Sequence, residues 1–234
     1  MTTTPCAKIE RASDKSHLCR ADDNKKDQSY FLYGIAAERL NNFYLPLGDI
    51  SKSEVREIAS EIDLPVADKP ESMELCFAGE NDYRTALDEI DANKPGDLTD
   101  MEGNVLGKHN GIANYTIGQR RGLGYAGGEP LYVGRIDAKS NTVSIGKRED
   151  VSFALVTADQ LNCLWPEKIF AGAKLKAKIR SYSDPKPCII YSVKDDERAV
   201  KFDDMQVAPS AGQKLVLYDN RTVVAGGTII SARN

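Results

Sequence analysis

Histidine is almost missing from this 234-residue chain, which has two, His17 and His109, beside five cysteines. None of the cysteines (Cys6, Cys19, Cys76, Cys163, Cys188) forms a C-x-x-C pair, and no Cys/His cluster has zinc spacing. A structural metal site is therefore not expected. No apolar run approaches the roughly 18 residues that span a bilayer, so no membrane partner is expected. An odd cysteine count without a recognisable signal peptide fits a reducing cytoplasm, and the protein reads as soluble and cytoplasmic. Internal repeats and low-complexity segments are also lacking.

Charge is present but unevenly spread. The net charge is −4. Residues 71–107 carry ten acids against two bases, residues 108–148 seven bases against two acids, and residues 168–180 five bases and no acid. Two readings stand: ordinary solvated faces, or a basic second half that binds nucleic acid locally.

The pattern predicts an α+β multidomain chain in three parts. Residues 1–80 read as the tail of a larger α/β domain. Ala7–Arg11 and His17–Arg20 form a short strand pair around a turn, and Asp27 is the expected N-cap of a helix with Tyr30, Phe31, Ile35, Ala36 and Leu40 on one face. Phe43–Gly48 reads as a short extended piece. Ser51 then caps a second helix, with Glu54 completing a capping box and Val55, Ile58, Ala59 and Ile62 as its apolar stripe. Residues 81–150 read as a small mixed domain: a helix over Asp82–Ile90, turns at Pro95–Asp97 and Met101–Asn104, and a hairpin of Leu131–Ile136 with Thr142–Ile145. Residues 151–234 read as an antiparallel β-barrel with strands at Lys174–Arg180, Cys188–Val193, Ala199–Phe202, Lys214–Tyr218 and Val223–Ile230. The first of these alternates strictly, which predicts four cations on a solvated outer face.

Several segments carry candidate chemistry. Cys76 stands in the acidic stretch Glu71-Ser72-Met73-Glu74-Leu75-Cys76-Phe77-Ala78-Gly79-Glu80. From the residues alone it is either a structural thiol or a reactive one, since Glu71, Glu74 and Glu80 oppose a thiolate while a helix starting near Asn81 favours it. Gly122-Leu123-Gly124-Tyr125-Ala126-Gly127 satisfies G-x-G-x-x-G, but no strand precedes it and no helix follows, so it is set aside as a dinucleotide motif. Lys108-His109-Asn110-Gly111 and Tyr115 to Arg121, with Gln119 and Arg120, combine cations for phosphate with Tyr115 and His109 as stacking surfaces; a glycine-rich turn with incidental charge is the other reading.

Taken in order, Asn24-Lys25-Lys26-Asp27-Gln28-Ser29-Tyr30-Phe31-Leu32, the Cys76 segment and Tyr115-Thr116-Ile117-Gly118-Gln119-Arg120-Arg121-Gly122-Leu123-Gly124 resemble the MnmA/TrmU family of tRNA-uridine 2-sulfurtransferases. The likeness runs from about Ala7 to Ile230. It implies transfer of sulfur from a persulfide on Cys76 to C2 of the wobble uridine of tRNA, after ATP (with Mg) has adenylated the uridine O2. The partners it implies are tRNA, a persulfide-donating sulfur-relay protein and, for a chain of this extent, a separate N-terminal PP-loop domain. It implies tRNA contacts at Lys26, Asp27 and Gln28, at Lys108, His109, Tyr115, Gln119 and Arg120, and at Arg180, Ser181 and Gln213.

The departures matter. Glu74 replaces a family glycine, Ser181 replaces a tyrosine that Tyr182 is placed to substitute, and Thr4 and Pro5 stand where the family has glycine and histidine. The family's S-G-G-x-D-S nucleotide loop has no counterpart in these residues, and no cysteine takes the role of its second catalytic thiol. The expectation is a shortened family member that does not thiolate tRNA on its own, with a non-catalytic tRNA-binding module as the alternative.

Overall fold

The computed structural model describes residues 6–12, 15–64 and 93–234. Cys76 and the helix expected over Asp82–Ile90 lie outside the described residues. In chain order the elements are β1 (Ala7–Arg11), β2 (Ser16–Arg20), α1 (Ser29–Leu32), α2 (Lys52–Glu61), β3 (Gly96–Thr99), β4 (Val105–His109), β5 (Tyr132–Asp137) and β6 (Thr142–Gly146). They continue as β7 (Ser152–Cys163), β8 (Lys174–Lys178), β9 (Lys186–Lys194), β10 (Glu197–Val207), β11 (Lys214–Asp219) and β12 (Thr222–Arg233). The described residues fall into two units. One joins residues up to 64 with 154–205 and 209–234; the other holds 93–153 with 206–208. The α+β class is as the sequence predicts.

In the first unit six strands close a barrel in the order β12-β11-β8-β9-β10-β7, with β7 pairing back onto β12. The β1–β2 hairpin joins the same sheet where Cys19 faces Thr222. Strand β11 shows why the hairpin belongs here. Its run Leu215-Val216-Leu217-Tyr218 is apolar at every position, the mark of a strand buried on both faces. Leu215 and Leu217 enter the barrel interior with Ile190, Val200 and Phe202. Val216 and Tyr218 point the other way, into a second core with Ala7, Leu18, Tyr30 and Leu40. Fully buried leucines such as Leu18 and Leu40 each contribute about 1.5–3 kcal/mol relative to exposure. Residues 6–12 and 15–45 thus form a cover on the outer barrel wall.

That packing overrides several local expectations. The helix predicted from Asp27 to Leu40 is broken: α1 has four residues, Gln28 occupies its N-cap position, and a 3-10 turn follows at Ala37–Asn42. Asn162 on β7 captures the Tyr33 and Ile35 carbonyls at 2.6 and 2.8 Å, so those acceptors bond across to the barrel rather than along a helix. Gly226 on β12 admits the Tyr33 ring, which a Cβ at that position would overlap. Phe43–Gly48 is irregular chain and turn rather than strand. The alternation over 174–180 holds inward at Leu175, Ala177 and Ile179, and Lys174 and Lys176 are exposed as expected, but Lys178 on the same face is only 3% exposed. The Tyr30 segment covers this end of the outer wall, over Lys178 and Val216.

Helix α2 has the predicted capping box, with Ser51 Oγ accepting from Glu54 N at 3.2 Å and Glu54 Oε2 accepting from Ser51 N at 2.7 Å. Its apolar stripe is uncovered among the described residues, with Ile58 47% and Ile62 61% exposed.

The second unit is a mixed sheet in the order β4-β3-β6-β5, with β3 and β6 parallel. Leu98, Leu123, Val133, Val143 and Ile145 form its core. Gly96 and Asp97, predicted as turn, begin β3, because the strand exchanges hydrogen bonds with both β4 and β6.

Candidate functional site

The segment 26–28 is built as a bracket. Asp27 is buried, and its carboxylate accepts from Arg20 Nε at 2.8 Å, from Ser29 N at 3.1 Å and from Ala21 N at 3.3 Å. Gln28 Oε1 accepts from Cys6 N at 2.9 Å, and Gln28 N donates to Cys6 O at 2.8 Å. Two of the three side chains therefore hold the protein together, and Lys26 stands half-buried beside them.

Tyr30, one turn on, is the meeting point. Its hydroxyl donates to the Lys214 carbonyl at 2.8 Å, and burial raises its pKa to about 12. The Lys178 ammonium sits 5.7 Å from its ring centroid, within cation–π range. Arg180 is near enough to act on Tyr30 electrostatically. The structure thus gathers segments 26–30, 178–181 and 213–214, far apart in sequence, on one side of the barrel. Ser181 is half-buried and Tyr182 beside it is almost wholly exposed. Gln213 Oε1 is shielded from solvent and has no hydrogen-bond partner among the described residues. Arg20, Tyr30, Lys178 and Lys214 were not singled out from the sequence as site residues. The strict alternation hid Lys178 by placing it on the outer face of its strand.

In the second unit His109 is buried and fully used. Its Nδ1 accepts from Gly111 N at 3.0 Å and its Nε2 lies 3.0 Å from the Asn141 carbonyl, a pairing that calls for the neutral ring protonated at Nε2. The ring meets Tyr115 edge-on at 5.7 Å, and Tyr115 donates to the Leu123 carbonyl at 3.3 Å. These two rings fix the loop's shape. Gln119 clasps that loop, accepting from Thr116 N at 2.9 Å and donating to Arg121 O at 2.8 Å, while its backbone pairs with Val133 of β5. Lys108 is exposed and ion-paired with Asp97 at 2.5 Å. Arg120 and Arg121 project from the loop, exposed and without an ion pair among the described residues. Such a loop presents cations on a fixed backbone, which suits phosphate contact.

Thiol and nucleotide chemistry find little footing among the described residues. Burial raises all four described thiols: Cys188 to about 12, Cys19 to about 11, Cys6 and Cys163 by less. Among the described residues no group of three His, Cys, Asp or Glu side chains is placed to hold a metal. The described loops do not suit ATP either. The Gly122–Gly127 loop leads into β5, not a helix, and the N-terminus of α2 is occupied by Glu54 beside Asp22, Asp23 and Asp49, which repel phosphate.

Comparison with known proteins places these parts. Residues 1–80 match a tRNA methyl transferase HUP domain, residues 84–147 a tRNA methyl transferase PRC-barrel domain, and residues 154–229 an aminomethyltransferase beta-barrel domain. The chain is 44% identical over 214 residues to a tRNA-specific 2-thiouridylase MnmA of Acetivibrio thermocellus, covering 91% of this chain and 60% of that protein. It is 42% identical over 224 residues to the MnmA of Halothermothrix orenii, covering 94% and 63%. Against the MnmA of Carboxydothermus hydrogenoformans it is 40% identical over 233 residues, covering 98% and 64%. The chain therefore spans somewhat under two thirds of the length of these relatives. With three family models following one another along it and relatives at this identity over most of its length, the chain belongs to the MnmA family of tRNA-specific 2-thiouridylases.

Proposed function

We propose that these 234 residues supply the sulfur-carrying and tRNA-binding parts of a tRNA-uridine 2-thiouridylase. In this reading 1–80 carries Cys76 at its end, 81–150 is a tRNA-binding domain and 151–234 is a barrel that also touches tRNA. The observation that carries the reading is the convergence at Tyr30, where three segments matching family tRNA contacts meet on one barrel wall.

The chemistry assigned to Cys76 is group transfer. The terminal sulfur of its persulfide bonds to C2 of the wobble uridine, and the activated O2 departs with the C2–O electron pair. A second thiol then attacks the Cys76 sulfur. The S–S bond breaks, sulfur stays on C2, and the two cysteines are left as a disulfide that a reductant must reopen. None of the four described thiols is favoured for the second role, because burial raises the pKa of each and so opposes its thiolate. Activation of O2 by ATP is assigned to no described residue. The persulfide comes from a sulfur-relay protein, and the setting is the cytoplasm.

Two measurements test the reading. A persulfide donor should add sulfur to Cys76, mapped by peptide mass, and none after Cys76→Ser; the chain should also bind a tRNA anticodon stem-loop above random RNA. Binding without sulfur on Cys76 would favour the non-catalytic module, and absence of both would end the proposal. In an active assembly, nucleoside mass must show sulfur in place of oxygen; an added methyl group contradicts the reading.

A further inference from the structure

Lys178 is the one lysine that the described residues bury. It stands on the outer wall of β8, opposite Val216 of β11, under the Tyr30 segment. Its ammonium makes no hydrogen bond among the described residues. The carboxylate it faces, Asp27, is already occupied by Arg20, Ala21 and Ser29. The Tyr30 hydroxyl is turned to the Lys214 carbonyl, so the ring gives Lys178 its face alone. Two cations, Arg20 and Lys178, thus share one buried anion, and the surplus charge rests on Lys178. Asp184 is its other acidic neighbour, near enough to be felt but not bonded.

Such a group is costly unless something completes it. A buried charge without a hydrogen-bonding partner loses solvation that a cation–π contact returns only in part. Burial accordingly lowers the Lys178 pKa. Yet Nζ is not among the described polar atoms that are both sealed from solvent and unpartnered, which are Asp159 Oδ1, Arg198 Nε and Gln213 Oε1. The stem is covered while the tip still meets solvent. A lysine held in this way is a preformed single-charge socket, its approach flanked by Arg180 and the exposed Tyr182.

We propose that Lys178 anchors one RNA phosphate on the barrel wall between the Lys26–Tyr30 segment and the Arg180–Ser181 turn. This rests on the proposed tRNA-binding function. A phosphodiester oxygen accepts from the ammonium and neutralises the surplus cation, and Tyr30 keeps the ammonium from swinging into bulk solvent. The same contact couples tRNA binding to the Asp27 bracket, so the buried network acts as the floor of the site.

The test is tRNA affinity as a function of salt for the wild-type chain, Lys178→Met, Lys178→Arg and Lys194→Met, with thermal unfolding of each. Lys194 is an exposed charge at the β9 end and controls for net charge. Lys178→Met should weaken binding about tenfold and flatten the log–log salt slope by about 0.7–0.9, the release expected for one phosphate contact. Its thermal midpoint should hold, because methionine fills the space of the covered stem and the removed ammonium makes no hydrogen bond among the described residues. Lys178→Arg should keep the wild-type slope, and Lys194→Met should change neither quantity. An unchanged slope in Lys178→Met, with or without weaker binding, overturns the anchor, and so does an equal change in Lys194→Met. If Lys178→Met fails to fold, loss of the slope contribution in Lys178→Gln against its retention in Lys178→Arg decides. A wild-type chain that binds no tRNA sinks the proposed function itself, whereas wild-type binding with an unaltered Lys178→Met slope sinks only this inference.

Discussion

Arg20 donates through Nε to Asp27 Oδ2 at 2.8 Å, and the Asp27 side chain has no exposed surface. The pair joins β2 to the start of α1 and so fixes how these two elements lie on the barrel. Removing one partner strands the other. Asp27→Ala should destabilise the first unit by about 3–5 kcal/mol, the range for breaking a buried ion pair. Asp27→Asn, which still accepts backbone hydrogen bonds, should cost less. A double-mutant cycle with Arg20→Ala, read by denaturant unfolding, should show strong coupling. Additive losses would mean that the pair does not act as a unit.

A second expectation concerns charge without structure. Arg120 and Arg121 are exposed on a loop whose shape is set by Gln119, Tyr115 and His109. Arg120→Ala with Arg121→Ala should weaken tRNA binding and flatten its salt slope by about 1–2, while the unfolding midpoint stays put. Gln119→Ala should do the reverse in part: it unclasps the loop and lowers affinity with little change of slope.

The contrast between these sites shows what the sequence makes legible. Period-two patterns and turn residues reveal most of the barrel strands, and the Ser51–Glu54 capping box is read correctly because its parts are local. What fails is whatever depends on contact at a distance. The helix from Asp27 to Leu40 has a sound local pattern, but Asn162, more than 120 positions away, takes its carbonyls. Lys178 reads as solvated because alternation tells inside from outside of one strand, not whether another segment covers the outside. His109 reads as a stacking surface because a sequence does not show that both ring nitrogens are already engaged. Strand β7 escapes notice because its polar residues, Asp159, Gln160 and Asn162, interrupt the alternation.

The described thiols should be slow. Cys188 and Cys19 are pushed up to about 12 and about 11 by burial, so at pH 8 the Cys19 thiolate fraction falls on the order of a hundredfold below that of a free cysteine. Iodoacetamide labelling with peptide mass mapping should therefore mark Cys76 well before Cys19 or Cys188 if Cys76 is the sulfur carrier. Both thiols are also closed to the reagent, Cys19 being 1% and Cys188 4% exposed, so their labelling at pH 8 should rise only as denaturant opens the barrel. Early labelling of Cys188 at pH 8 would contradict its buried environment.

The most severe single-atom change should be at Gly96. A Cβ there would overlap the Asn141 carbonyl oxygen and crowd His109 Nε2 at 2.6 Å. Those two atoms form the hydrogen bond that closes the second unit, so Gly96→Ala must either push β3 away from the β5–β6 turn or displace the imidazole. Either route strands a buried polar group, worth about 1–3 kcal/mol, in addition to an overpacking strain of similar size. His109→Ala removes the bond but leaves space, and should be milder. Hydrogen exchange reads the difference residue by residue. Gly96→Ala should deprotect the amides of β3 and β6, whereas β8, β11 and β12, whose core excludes these residues, should keep their protection. Retained protection in β3 would show that the close approach is soft and that His109 does not hold the sheet.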